Sequence, residues 1–192
     1  MSLSLVTPPA AEPISLDQAK ARLRISDSSQ DARLTHLIRS ARQRVEGDTG
    51  RACLSQTWLE RRDAWDGDGR LCAFGTQFKL PKPPLISIDA ITTYAADDTP
   101  TNHDPADFFI DTASEPGRLA LRPNGHFPQP GRSIDGIEIR FTCGYGETAE
   151  DVPGPLVEAI GQLVEAMFDG GLDVGMPASV KALLRPWWRI SL

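Results

Sequence analysis

Between Ile14 and Glu46 the chain has neither proline nor glycine, and its apolar positions recur at helical spacing. Leu34, Leu37, Ile38, Ala41 and Val45 fall in one stripe roughly 100° wide, the width of a helix lying on a core. Ser15 followed by Gln18 makes a capping-box pattern with Ile14 at the staple position, so a first helix opens at Ser15 and runs to about Arg24. A second follows the polar turn Ser26-Asp27-Ser28-Ser29 and ends near Asp48-Thr49, with Gly50 as its C-terminal cap. A third starts around Asp151-Val152-Pro153, where proline is tolerated in the first turn. Its apolar face is Leu156, Ile160, Leu163, Val164 and Met167, with Glu158, Gln162, Glu165 and Asp169 on the other side.

The period changes in the middle of the chain. Ile137, Ile139, Phe141, Cys143 and Tyr145 alternate with Gly136, Glu138, Arg140, Thr142 and Gly144, the pattern of a strand with one buried face. Ile86 and Ile88 alternate with Ser87 and Asp89, and Leu119 and Leu121 with Arg118 and Arg122. Phe108 to Ile110 and the segment from Trp58 to Trp65 are weaker strand signals. Asp66-Gly67-Asp68-Gly69 and Pro123-Asn124-Gly125 supply turns. Nine prolines between Pro81 and Pro130 exclude a long helix there. The pattern predicts an α+β protein: a helical bundle body with an antiparallel β module inserted between the second and third long helices. The expected boundaries are 1–55 for the N-terminal helical part, 56–147 for the β-rich module and 148–192 for the C-terminal helices and tail.

Charge sharpens this picture. The 192 residues carry a formal net charge of -6, which argues against a protein whose main task is to coat nucleic acid. The total is an average over two unlike regions. Lys20 to Arg62 holds ten basic and five acidic residues, whereas Glu147 to Asp173 holds seven acids and no Lys or Arg. Arg33 and Arg44 project at one edge of the second helix's apolar stripe and Arg39 and Arg42 at the other, a solvated or interface face. These arginines could pair with Glu158, Glu165 and Asp169 within one subunit or between copies, or both faces could simply be solvated. Pairing between copies would be heterologous and would generate a ring or a filament.

Candidate chemistry is sparse. There is no GxSxG elbow, no GxxxxGK[ST] or GxGxxG phosphate loop and no HExxH. The three cysteines, Cys53, Cys72 and Cys143, form neither a disulfide framework nor a CxxC pair and suit a reducing compartment. His36, His103 and His126 lie at no metal-ligand spacing to one another or to a cysteine. Cys143 reads as an inward strand residue, which argues against a dyad with His126. Asp66-Gly67-Asp68-Gly69-Arg70 resembles part of a calcium loop, but Arg70 takes the third ligand's place. No catalytic residue, cofactor or metal is expected. No apolar run approaches the roughly 20 residues needed to span a bilayer, and Met1 to Pro13 lacks the features of a signal peptide.

The C-terminus is different. After Gly170, Gly171, Gly175 and Pro177 comes a short helical segment, Ala178 to Leu184, then Arg185-Pro186-Trp187-Trp188-Arg189-Ile190-Ser191-Leu192. Two tryptophans and an isoleucine among arginines are costly to expose, and Trp and Arg are enriched at interface hot spots. Either the tail folds back on its own core or it docks on another chain.

In order along the chain stand Val6-Thr7-Pro8-Pro9, Pro13-Ile14-Ser15-Leu16-Asp17-Gln18-Ala19-Lys20, Leu23-Arg24, Leu37-Ile38, Ala41, Val45-Glu46, Thr49-Gly50-Arg51 and Gln56-Thr57-Trp58. Leu80-Pro81 to Pro84-Leu85 follows, then Phe141-Thr142-Cys143-Gly144-Tyr145-Gly146, Asp151-Val152-Pro153 and the segment from Pro177 through Arg185-Pro186-Trp187. In this set and spacing the chain resembles the head-to-tail connector (adaptor) proteins of long-tailed phages and phage-derived gene transfer agents. The resemblance implies a structural protein of the virion or particle neck, assembled in the bacterial host cytoplasm. Its members form a ring, commonly a dodecamer, beneath the portal, with stopper or tail-completion proteins below. DNA passes through the channel without sequence-specific binding, and no membrane is involved. On this reading Arg185, Trp187, Trp188, Arg189 and Ile190 bind the portal. Arg33, Arg39, Arg42 and Arg44 would meet Glu158, Glu165 and Asp169 between subunits. The alternative is a DNA-packaging accessory protein that holds nucleic acid through Arg33, Arg39, Arg42 and Arg44.

Overall fold

The computed structural model describes residues 1–65, 77–122 and 127–188. It is an α+β protein of two compact units, one comprising Met1–Pro8 with Ser55–Gly144 and the other Pro9–Leu54 with Tyr145–Leu192.

The second of these units is helical: α1 (Leu16–Leu23), α2 (Asp31–Thr49), α3 (Gly154–Gly170) and α4 (Ala178–Leu184). The capping box at the start of α1 forms as the sequence predicts. Gln18 N donates to Ser15 Oγ at 3.1 Å and Ser15 N donates to Gln18 Oε1 at 2.9 Å, so two otherwise orphaned donors are satisfied. The C-terminal cap of α2 is Gly50, whose φ of 68° is free of the steric cost a side chain would bring. Its apolar stripe is buried throughout, with Leu34, Ala41 and Val45 fully inaccessible. Opposite it, Leu156, Ile160, Leu163, Val164 and Met167 of α3 are all buried. They share one core with Ile14, Ala19, Cys53, Leu54, Val180 and Leu184.

The other unit is antiparallel β. A five-stranded sheet runs in the order β1 (Ser2–Thr7), β2 (Gln56–Arg62), β8 (Ile137–Cys143), β4 (Leu85–Tyr94), β5 (Pro100–His103). A three-stranded sheet runs β3 (Gln77–Lys79), β7 (Arg118–Leu121), β6 (Phe108–Asp111). The strongest sequence pattern becomes the central strand: Ile137, Ile139, Phe141 and Cys143 of β8 are fully buried between β2 and β4.

Four features differ from the sequence reading. Ser2–Thr7, placed with the helical body by the expected boundaries, forms an edge strand on β2. Ile86 does not share an inward face with Ile88; it is 43% exposed, and the buried apolar positions of β4 are Leu85, Ile88 and Ile91, with Thr93 buried beyond them. The ladder to β8 is irregular between Leu85 and Ser87 and again between Ile88 and Ala90. Each irregularity adds a residue to β4, so inward positions fall at every third residue. Strands β3 and β5 are too short and polar to show a period. The weak signal around Trp58 has a cause of its own, because β2 buries Gln56, Glu60 and Arg62 rather than an apolar row. Arg62 Nε donates to Glu60 Oε1 at 2.8 Å and its guanidinium lies 4.1 Å from the centroid of Phe78. The turns predicted at Asp66 to Gly69 and Pro123 to Gly125 lie outside the described residues.

Leu163→Ala should destabilise the helical unit by about 2–5 kcal/mol, the usual cost of emptying a tightly packed leucine site. Ile86→Ala should stay within about 0.5 kcal/mol of the parent. Chemical denaturation followed by circular dichroism separates the two.

Candidate functional site

The polar side chains of the helical unit are organised around three clusters. In the first, Arg42 is 4% exposed. Its Nε donates to Glu12 Oε2 at 2.7 Å and its Nη1 to Glu46 Oε2 at 2.8 Å. Glu46, one turn further along α2, also accepts the backbone N–H of Cys53 through Oε1 at 2.9 Å. One buried ion pair therefore ties the segment before α1 to α2 and to the chain leaving α2. Arg39 keeps its side chain 64% exposed and reaches Glu12 only at 3.9 Å.

The second cluster is where the acidic face of α3 meets α1. Gly161 leaves a notch on α3, and the Arg22 guanidinium fills it; a Cβ at Gly161 would lie 2.6 Å from Arg22 Cζ. Glu158 and Glu165 stand about a turn on either side, and Arg22 donates to both. Hydrogen bonding from Arg22, and after it from the Gln162 amide, holds the Glu158 carboxyl below the usual carboxylate range. Two of the predicted subunit-contact acids thus have a partner in their own chain, while Asp169 is exposed.

The third cluster holds the C-terminal segment. Arg51 is 8% exposed; its Nε donates to the Trp187 carbonyl and its Nη1 to the Tyr145 hydroxyl, each at 2.9 Å. The Arg51 guanidinium lies 5.4 Å from the Trp187 ring centroid, and Tyr145 meets that ring edge-on at 6.1 Å. Trp187 therefore packs against its own helical core. Trp188 is 41% exposed, with its indole N–H donating to Asp48 Oδ2 at 2.8 Å and its backbone N–H to the Arg185 carbonyl at 3.4 Å. Arg185 is exposed. Arg189 and Ile190 lie outside the described residues.

Of the remaining basic residues on α2, Arg33 donates to the Phe168 carbonyl at 2.8 Å and lies 4.4 Å from that ring's centroid. Arg44 donates to the Val174 carbonyl at 2.6 Å. Sequence reasoning placed Arg33, Arg39, Arg42 and Arg44 on a solvated or interface face that could pair within one subunit or between copies; Arg33, Arg42 and Arg44 each bond an oxygen of their own chain. Reasoning from the sequence missed Arg22, Gly161, Asp48 and Arg51. Only Arg51 carried a signal, as part of Thr49-Gly50-Arg51.

No group of His, Cys, Asp and Glu among the described residues could hold a metal ion. Cys143 is buried, with its Sγ 3.8 Å from the Gln56 carbonyl, and both His126 and the Asp66 to Arg70 loop lie outside the described residues. An open groove of about 300 Å³, lined by Ala11, Glu12, Ile14, Ser15, Leu16, Thr35 and Ile38, contains no nucleophile paired with a base. The clusters hold shape and present an aromatic, arginine-flanked surface.

Similarity to known proteins bears on what such a surface is for. Residues 13–99 match the family of the Phage gp6-like head-tail connector protein. The connector resemblance read from the sequence is borne out. Among solved structures, the whole chain matches a protein in the neck of an empty gene transfer agent particle computed with C6 symmetry. That match has a TM-score of 0.82 and 23% identity, and covers 97% of that chain. A second match, in the virion of a native gene transfer agent particle, has a TM-score of 0.82 and 22% identity over 97% of its chain. A third, in the neck of a native particle computed with C12 symmetry, has a TM-score of 0.74 and 24% identity, again over 97%. At these identities the likeness is one of fold. No curated protein sequence matches the chain.

Arg51→Ala should release the C-terminal segment, seen as faster amide exchange from Arg185 to Trp188 with α2 and α3 unchanged. Arg51→Lys should not restore protection, because an ammonium cannot reproduce the guanidinium fork. Glu158 supplies a pH signature. A carboxylate whose folded pKa is depressed contributes stability above its unfolded value and loses it as pH falls through the folded one. Stability measured by denaturation should therefore fall below about pH 4, and Glu158→Gln should make that fall shallower.

Proposed function

We propose that this protein is a structural head-to-tail connector: a ring beneath the portal that joins the DNA-filled head to the tail or neck and leaves a channel for DNA. The observation that carries the reading is the connector-family match over residues 13–99. Likeness of fold over the full chain to proteins of gene transfer agent necks supports it. The neck of a virion or gene transfer agent particle is then its place of work. No helix among the described residues is long and apolar enough to cross a membrane.

Ring formation follows from the same likeness, since two of those neck structures were computed with C6 and C12 symmetry. A dodecamer satisfies both. Portal contact is assigned to the C-terminal surface: Arg185 and Trp188 present an exposed cation and ring, Trp187 supports them from below, and Arg189 and Ile190 continue the segment. Contact between copies is assigned to the charged helical faces, with Arg39 and Asp169 reaching furthest from internal partners and Glu158, Glu165 and Arg33 behind them. Stopper or tail-completion proteins would occupy the opposite side of the ring, and DNA would pass without base-specific contacts. The nucleic-acid alternative is the weaker reading, because three of its four arginines already bond oxygens of their own chain.

The test is electron microscopy of the protein mixed with its portal, where a ring stacked coaxially on the portal is the expected result. Arg185→Ala combined with Trp188→Ala should weaken portal binding by tenfold or more, as loss of a hot-spot pair does, while leaving thermal stability unchanged. Unaltered affinity would remove the C-terminal surface from the portal contact.

A further inference from the structure

The five-stranded sheet ends in two open edges, β1 and β5. Proteins ordinarily guard such edges with lysines, prolines, bulges or covering segments, because a row of unused N–H and C=O groups is a template for another strand. The β1 edge has one such guard, an irregularity in its pairing with β2 between Leu5 and Thr7. Ser2 to Thr7 contains no charged residue and no proline, and the first charged side chain of the sequence is Glu12. Leu5 and Val6 are 42% and 43% exposed. Among the described residues, no backbone group of Ser2 to Thr7 bonds to main chain outside the ladder with β2. Half of the groups in an edge strand point away from its one neighbour, so β1 carries an extended, pre-ordered and unused main-chain edge. Among the described residues the other end of the sheet is likewise open beyond Pro100, which begins β5 and has no N–H to offer: β5 pairs with β4 alone, and no backbone group of Pro100 to His103 bonds to main chain beyond that ladder.

We infer that β1 of one copy adds to β5 of the next, so that the sheet continues from subunit to subunit. The inference rests on the ring reading above and names a contact that the charged helical faces do not supply. The second copy is favoured as occupant because head-to-tail pairing satisfies both open edges of every subunit at once. Pairing of β1 with β1 would form a two-fold dimer and leave every β5 open. Strand direction is consistent with a ring. Each neighbouring pair in the sheet is antiparallel, so the first and fifth strands point the same way. A rotation that carries one subunit to the next within a ring keeps that sense, and the new pair is parallel. The uncharged β1 meets a β5 that carries no Asp, Glu, Lys or Arg, so no formal charge is buried at the join.

Cysteine pairing tests this. In a Cys72→Ser background, with Cys53 and Cys143 left buried, cysteine is placed at Leu3, Ser4 or Leu5 in combination with Asn102→Cys. Adjacent strands lie about 4.7–4.9 Å apart, within the usual Cα separation of a disulfide. Oxidation of assembled rings should convert the chain to a ladder of covalent multimers in at least one combination, with none from any single cysteine variant. Rings seen by microscopy that yield no ladder in any combination would overturn the β1 to β5 contact and leave the connector reading standing. Dimers from a single β1 cysteine would overturn it in favour of two-fold pairing. Failure to form rings at all, with or without portal, would bring down both.

Discussion

The buried pair of Arg42 and Glu46 sets how the chain enters and leaves the helical unit's longest helix. Glu46 accepts from Arg42 with one oxygen and from the Cys53 backbone with the other, while Arg42 reaches back to Glu12. The pair thereby fixes where the chain enters α1 and where it leaves α2. Cys53 in turn accepts the backbone N–H of Tyr145 at 3.3 Å, so the two ends of the ninety-residue segment between them are held side by side. A buried ion pair contributes little net stability against an apolar substitute, because desolvation offsets most of its attraction. What it supplies here is position: the pair holds the segment before α1, the body of α2 and the chain leaving α2 in one arrangement.

Charge segregation along the sequence therefore has a largely internal explanation. Glu158 and Glu165 of α3 meet Arg22 at the Gly161 notch, and Arg33, Arg44 and Arg42 of α2 turn toward the carbonyls of Phe168 and Val174 and toward Glu12. Isolated surface pairs would be worth at most about 1 kcal/mol each. Set around a close helix approach, they fix the register of α1 on α3, which apolar contacts alone leave free to slide.

The helices were legible because local rules and tertiary packing agree there. Ser15 and Gln18 cap what they promise to cap, Gly50 ends α2, and Leu156, Ile160, Leu163, Val164 and Met167 of α3 are all buried. The central strand β8 was legible for the same reason, having one wholly apolar face. Legibility failed where burial departed from simple periodicity. Irregular pairing moves Ile86 outward, buried Glu60 and Arg62 disguise β2, and Ser2 to Thr7 is an edge strand whose exposed residues leave almost no pattern. Among candidate contact residues, sequence pattern located Trp187 and Trp188 but not what holds them. Asp48 and Arg51 are about 140 residues away in the chain, and only folding brings them to the tail.

A connector must assemble from subunits that are already folded, and this places opposite demands on its polar groups. Groups used to define the subunit must find partners in their own chain, or the monomer would be disordered before assembly. Groups used between subunits must stay unsatisfied, yet not so apolar that free monomers aggregate. The helical unit meets the first demand: Arg22, Arg33, Arg42, Arg44 and Arg51 all bond within it. An open main-chain edge such as β1 meets the second. Its N–H and C=O groups are solvated by water in the monomer, and pairing exchanges those bonds for others of similar strength at a small net gain each. Such a contact is weak between two molecules and becomes strong only when ring closure makes every join intramolecular.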